Sequence, residues 1–271
     1  MNPRDPYKEP SGVLRNRLGI SDPAELEEYE RDLAFFRVVE LELSPLEGRF
    51  DFEHLRAIHR YILQDIFDWA GELRTVDTRA LGIPHARPQF LPDELDRVFR
   101  QISTRPPSTT DPDAATDTIA GHWSELTLVH PFRDGNSRTQ RVFFDQMFRH
   151  AGWAVNWAGI DASAAHAARH MSVYGRPDYL ADQLRHAVHP ATELAEGRLA
   201  TTLGNRSLLD SSAHFRAMRE HHRAAVITPY GCPGLLTVAR APHPAPHRVV
   251  APGQDRSRKL RRSSKDSRTT E

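Results

Sequence analysis

Residues 130–141 read HPFRDGNSRTQR, and this stretch both ends one element and starts the next. Pro131 disfavours helix at His130, so a preceding helix has to stop near Val129. A second helix is expected to start near Asn136, after Gly135. His130 then sits on a turn between two packed helices, with Pro131 and Phe132 as apolar anchors. Asp134 offers a hard carboxylate oxygen of the kind Mg²⁺ takes. Gly135, Asn136 and Ser137 put small residues and unsatisfied N–H groups at a helix N-terminus, which is a ready anion site. Arg138 and Arg141, three apart, fall on one helix face and can grip a polyphosphate with two guanidinium forks. A general base, a metal carboxylate, an N–H cradle and two arginines within twelve residues describe a phosphoryl-type transfer site.

Outward from this corner the chain reads as nearly all helix. Residues 24–43 follow the start signal Ser21-Asp22-Pro23. Asp51 is an expected N-cap for a helix whose Phe52, Leu55, Ile58, His59, Ile62, Leu63 and Ile66 keep helical spacing. Pro92 opens a helix with Leu95, Val98, Phe99 and Ile102. Asp111-Pro112 opens the next, with Ile119, Trp123, Leu126 and Leu128, and residues 136–150 follow with Val142, Phe143, Phe144, Met147 and Phe148. Weaker helices are expected over 161–171, 176–188, 191–203 and 211–225. Residues 73–91, LRTVDTRALGIPHARPQFL, break the period with β-branched residues, Gly82, Pro84 and Pro88, and read as a short β-hairpin or a functional loop. The expected fold class is all-α.

Composition sets the outer limits. The 271 residues are 39% hydrophobic, ample for one core, and Lys plus Arg equal Asp plus Glu at 36 each. One cysteine, Cys232, excludes an internal disulfide framework and Cys-based zinc. The N-terminal MNPRDPYKEP is polar and broken by proline, so no secretory leader is expected; the longest apolar runs fall far short of the ~20 residues of a membrane span, and a cytoplasmic location follows as an expectation. The zero net charge hides an asymmetry: from Arg198 onward 14 basic residues face 5 acidic ones. Residues 201–227 read as a helical extension, and 228–271 as a basic Pro/Arg/Ser-rich tail, disordered and solvated rather than a nucleic-acid site. Of the remaining histidines, His59 lies toward the apolar stripe of its helix and reads as a hydrogen-bonded core residue. His166 and His170 are one turn apart but lack a third ligand, so they read as residues of a surface helix.

The motif resembles the signature of the Fic-domain family, HPFx[DE]GNGRxxR, with a single departure, Ser137 in place of glycine. GVLRNRLGI near the N-terminus, AIHRYILQDIFDWAGELRTV and the order of helices are similar to that family over roughly residues 10–190, within a catalytic domain spanning 1–200. The resemblance implies an all-α core with a β-hairpin flap at about 73–91. It also implies a protein adenylyltransferase that moves AMP from ATP, with Mg²⁺, onto a Ser, Thr or Tyr hydroxyl of a target protein. His130 would be the general base, Asp134 the Mg²⁺ ligand and Asn136 the α-phosphate ligand. Gly135 and Ser137 would lend backbone N–H groups, Arg138 would face the β-phosphate and Arg141 the γ-phosphate. Ser137 fits without strain if it lies in the first helical turn, and it damages the site if the position needs a positive φ. Other groups carried by the same fold (UMP, phosphocholine or γ-phosphate), and an ATP-binding interaction protein that has lost catalysis, are the alternative readings.

A second family pattern, [ST]xxxE[GN], marks inhibitory helices whose glutamate pairs with the second motif arginine. Thr192, Glu196 and Gly197 fit it, which would set Glu196 against Arg141, but a plain helix ending at Gly197 explains the same residues. The resemblance to the toxin–antitoxin class favours a separate small antitoxin as the source of that glutamate.

Overall fold

The structure, a computed structural model, describes residues 5–193. Seven α-helices carry the fold there: α1 (Pro23–Leu43), α2 (Phe52–Leu63), α3 (Leu91–Thr104), α4 (Pro112–Val129), α5 (Asn136–His150), α6 (Ala162–His170) and α7 (Asp178–Arg185). Their starts are written in side-chain chemistry. Asp22, Asp51, Asp111 and Asp161 each accept a hydrogen bond from the first turn of the helix that follows, and Pro23 and Pro112 stand where a missing N–H costs nothing. Each such cap stabilises its helix by about 1 kcal/mol.

Helix α4 is the hub, packed by α3, α5, α6 and α7, while α2 closes over the other side of α5. Phe143, Phe144 and Phe148 of α5 are fully enclosed, with Ile58, Ile62 and Leu63 of α2 against them in one core. The buried amide of Gln140, between α4 and α5, is satisfied on both ends. Gln140 accepts from Trp123 Nε1 at 3.2 Å and Thr127 Oγ1 at 3.1 Å, and donates to the Leu126 carbonyl at 3.2 Å. That bond set locks the rotation of α5 and thereby the direction in which its first turn faces.

The irregular segment at 73–91 contains a hairpin, β1 (Arg79–Ala80) against β2 (Ile83–Pro84), antiparallel with Ala80 opposite Ile83. A second antiparallel pair is a feature the sequence reading lacked. β3 (Trp153–Val155) pairs with β4 (Val188–Pro190), so the helix expected over 176–188 ends at Arg185 instead. Three-residue strands are too short to show a period of two, and Trp153, Ala154 and Val155 are all buried, so no alternation betrayed them. The other revision concerns α6. It is not a surface helix on its inner side, since Ala168, Arg169 and His170 are buried. Thr192 is exposed, whereas Glu196 and Gly197, the extension at 201–227 and the tail at 228–271 lie outside the described residues. No described helix is long and apolar enough to cross a membrane.

Candidate active site

Helix α4 stops because His130 turns left-handed, at φ 50° and ψ 64°, while its N–H still reaches the Leu126 carbonyl at 3.0 Å. Pro131 then prevents any return to helix. The loop closes on itself at Asn136, whose Oδ1 accepts the Phe132 N–H at 3.0 Å and whose Nδ2 donates to the Phe132 carbonyl at 2.8 Å. Gly135 is the N-cap of α5 at φ 73°, where a Cβ would run into Leu63. Ser137 follows inside the first helical turn and is not among the residues with positive φ. Serine therefore enters this position without backbone strain.

Two buried side chains hold the loop from outside. His59 of α2 stacks on Phe132 with ring centroids 3.8 Å apart and donates from Nε2 to the Asp134 carbonyl at 2.9 Å. Its Nδ1 accepts the Gly71 N–H at 2.7 Å, which fixes the tautomer. Burial lowers its pKa to about 4, so it is neutral, as the core reading of His59 expects. Arg74 does the larger share. Its Nε donates to the His130 carbonyl at 2.6 Å, Nη1 to Val76 at 2.7 Å, and Nη2 to both Val129 at 3.1 Å and Ala86. One guanidinium thus ties the His130 turn to both stems of the flap.

The site itself is an open cavity of about 450 Å³. His130, Asp134, Gly135, Asn136, Ser137 and Arg138 line it from the motif, residues 77–80 from the flap, and His166 from α6. The His130 ring is stacked on His85 of the flap at 3.7 Å and 8°. Thr78 Oγ1 meets His85 Nδ1 at 2.9 Å. Burial above all, then the His85 ring and the Arg74, His170 and Arg169 side chains, drive the His130 pKa down to about 2. The imidazole is neutral, the form a proton acceptor needs. Asp134 accepts the Gly135 N–H at 2.6 Å and stands 3.8 Å from Arg138, which pairs with Glu30 of α1. Burial, with the Asp134 carboxylate nearby, raises the Glu30 carboxyl above its ordinary range despite that arginine.

Not every expected residue converges here. Arg141 does not line this cavity. Its guanidinium lies over the Trp157 ring at 5.6 Å, in a narrow cleft with Glu42 and Asp145. Asn136 does line the cavity, with its amide engaged by Phe132. Among the described residues no cluster of three or more His, Cys, Asp or Glu side chains forms a metal cage. A lone carboxylate such as Asp134 suits Mg²⁺, which keeps most of its waters and takes its other ligands from substrate phosphates.

The Fic/DOC family model matches residues 49–148, the segment that runs from the cap of α2 through the motif and most of α5. A relative in Escherichia coli K12, described as a probable protein adenylyltransferase Fic, is 34% identical over 174 residues, covering 64% of this chain and 86% of that one. This chain belongs to the Fic/DOC family. Another Fic relative, the protein adenylyltransferase VbhT of Bartonella schoenbuchensis, is 32% identical over 183 residues, 67% of this chain, which spans only 38% of VbhT. Among solved structures, the N-terminal Fic domain of a Bartonella quintana effector, with bound ADP, superposes with a TM-score of 0.64 at 24% identity, over 70% of this chain and 96% of that one. The BepC protein of Bartonella tribocorum, with bound AMPPNP, gives 0.63 at 23%, over 68% and 96%. At these identities the two structures speak for the fold, and the Fic fold is all-α with small strand pairs, as found here.

Within this Fic site, Arg74, His85 and Arg169 went unremarked as sequence. Their signal is tertiary. Arg74 and His85 lie 56 and 45 positions before His130, and Arg169 lies 32 after Ser137, and none belongs to a short motif.

Proposed function

We propose that this chain is a protein adenylyltransferase that transfers AMP from ATP to a Ser, Thr or Tyr hydroxyl of a target protein. The observation that carries the reading is the neutral, half-buried His130 imidazole opening onto the same cavity as the first turn of α5. The names of the curated relatives support the class of reaction.

In this reading the polyphosphate lies over the N-terminus of α5, where the N–H groups of Asn136, Ser137 and Arg138 have no helical acceptor. Asp134 would hold Mg²⁺, which when bound neutralises phosphate charge. The acceptor hydroxyl gives its proton to His130 as its oxygen bonds to the α-phosphorus. The bond from that phosphorus to the bridging oxygen breaks, and pyrophosphate leaves with the electron pair. His130 is too weak a base when its neighbours are His85, Arg74 and Arg169 alone, but an anionic phosphate chain beside it raises its pKa. Arg138 meets the phosphates by sharing or leaving Glu30, and Arg141 by leaving Trp157. The flap, one hairpin with an open edge, would align an extended target segment by backbone pairing. Control by a small antitoxin supplying a glutamate belongs to the same reading.

The test is incorporation of label from ATP carried at the α or the γ position, with target-containing lysate, beside His130→Ala. Protein-bound label from the α position only, lost in the variant, is the expected result. Label from the γ position would replace AMP transfer by phosphoryl transfer.

A further inference from the structure

Among the described residues, Arg169 is a buried cation with no counter-ion. It belongs to the last turn of α6, and only 6% of its surface reaches solvent. Its Nη2 donates to Ser137 Oγ at 2.6 Å and to His166 Nδ1 at 2.6 Å, and its Nε has no partner. Among the described residues no carboxylate pairs with it, and burial alone lowers its pKa, to about 10. The flat guanidinium lies 5.9 Å from the Trp123 ring, which positions it but leaves its charge unanswered.

The placement makes this costlier still. Ser137 is the second residue of α5, a helix of 15 residues, and the N-terminus of such a helix already carries partial positive charge. Like charge has been brought to like charge in a desolvated corner. An anion would answer that charge, and the cavity that would admit it is lined by Ser137 and His166, the two residues Arg169 bonds to, with Arg169 itself behind them and not in the lining. A glycine at 137 would offer no oxygen to hold the guanidinium, so the serine and the arginine act together.

We propose that Ser137 and Arg169 form a two-residue anion ligand, in which the serine hydroxyl aims the α6 guanidinium at the phosphate chain of a nucleoside polyphosphate lying over the N-terminus of α5. This rests on the nucleotide reading above and adds to it a phosphate-binding cation from outside the motif. Ser137 is then the anchor of an extra charge, and its departure from the family's glycine does not damage the site.

The test is calorimetric titration of the full chain with ATP and, separately, with adenosine, on the unaltered protein and on Arg169→Gln, Arg169→Lys and Ser137→Gly. Arg169→Gln should weaken ATP binding by roughly tenfold or more, the worth of one charge-assisted hydrogen bond, and leave adenosine unchanged. Arg169→Lys should recover part of the loss, because the charge returns without the fork. Ser137→Gly should weaken ATP by a smaller factor, and should add nothing once Arg169 is already glutamine. Equal losses for ATP and adenosine, or ATP affinity unchanged in both Arg169→Gln and Ser137→Gly, overturn the proposal. If Arg169→Gln does not fold, the Ser137→Gly titration decides by the same criterion. An unaltered protein that binds no ATP would sink the nucleotide reading as well, whereas ATP binding without any transfer touches only the assignment of the reaction.

Discussion

Arg74 shows how one side chain can set the geometry of a site it does not line. Its five N–H donors satisfy four carbonyls, at Val76, Ala86, Val129 and His130, and those carbonyls belong to the flap stems and to the turn that carries His130, the proposed base. Lysine has three donors radiating from a point and cannot meet four acceptors spread in a plane. Each buried acceptor left alone costs ~1–3 kcal/mol. Arg74→Lys is therefore expected to lower the unfolding free energy by about 2–4 kcal/mol in urea titrations, and to reduce transfer more than it weakens ATP binding. A loss below about 1 kcal/mol would remove the clamp from the account. The same residue marks the limit of legibility at this scale. A candidate chemistry could be proposed for HPFRDGNSRTQR because its histidine, carboxylate, small residues and arginines are contiguous, although Arg141 then turns away from the cavity toward Trp157. Arg74 and Arg169 acquire their meaning from carbonyls and a hydroxyl tens of residues away, and no local spacing encodes that. His170 misled for a related reason. The run of alanines in α6 carries too little apolar contrast to show which side faces inward.

Among the elements, the helices were legible from their caps and stripes, and the flap from the failure of both. The flap contains a local inconsistency of its own. Its two-residue turn is Leu81-Gly82, with φ 51° and 79°, and such turns favour Asn or Asp before Gly, not a leucine. A Cβ-bearing apolar residue in the left-handed region costs ~1–2 kcal/mol, and Leu81 recovers none of it by burial, being 62% exposed. A strained, exposed apolar side chain at the tip of a hairpin over the candidate cavity is placed for contact with another molecule. Leu81→Asn should raise the unfolding free energy by up to about 1 kcal/mol and leave ATP affinity unchanged, while labelling of the target protein falls. Unchanged target labelling would show that the leucine has no such contact.

At the scale of the whole molecule, the described fold keeps several histidines neutral. His54, His59, His85, His122, His130 and His170 all have their pKa values lowered, and burial is the first cause in each. The sign of the consequence is fixed. Below pH 6.5 the unfolded chain takes up protons on these rings and the folded chain does not, so stability is full above that pH and falls as the pH falls. The decline continues to about pH 4 for His59 and His85, and lower for His130. Glu30, with its raised pKa, works the other way but is a single group. His59 is wholly enclosed, with Arg138 as the charge that adds to its burial, and it alone sets a slope approaching ~1.4 kcal/mol per pH unit. With its neighbours adding in the same sense, a domain of ordinary stability, about 5–15 kcal/mol, is expected to unfold on mild acidification. Urea midpoints should be level between pH 8 and 7 and drop steeply from 6 to 5. His59→Gln, whose amide can still donate to the Asp134 carbonyl and accept from Gly71, should flatten part of that slope while costing stability at neutral pH. Midpoints that stay level to pH 5 would mean that the rings which hold the motif loop and face His130 are hydrated, and the dry, anion-seeking corner around Arg169 would lose its physical basis with them.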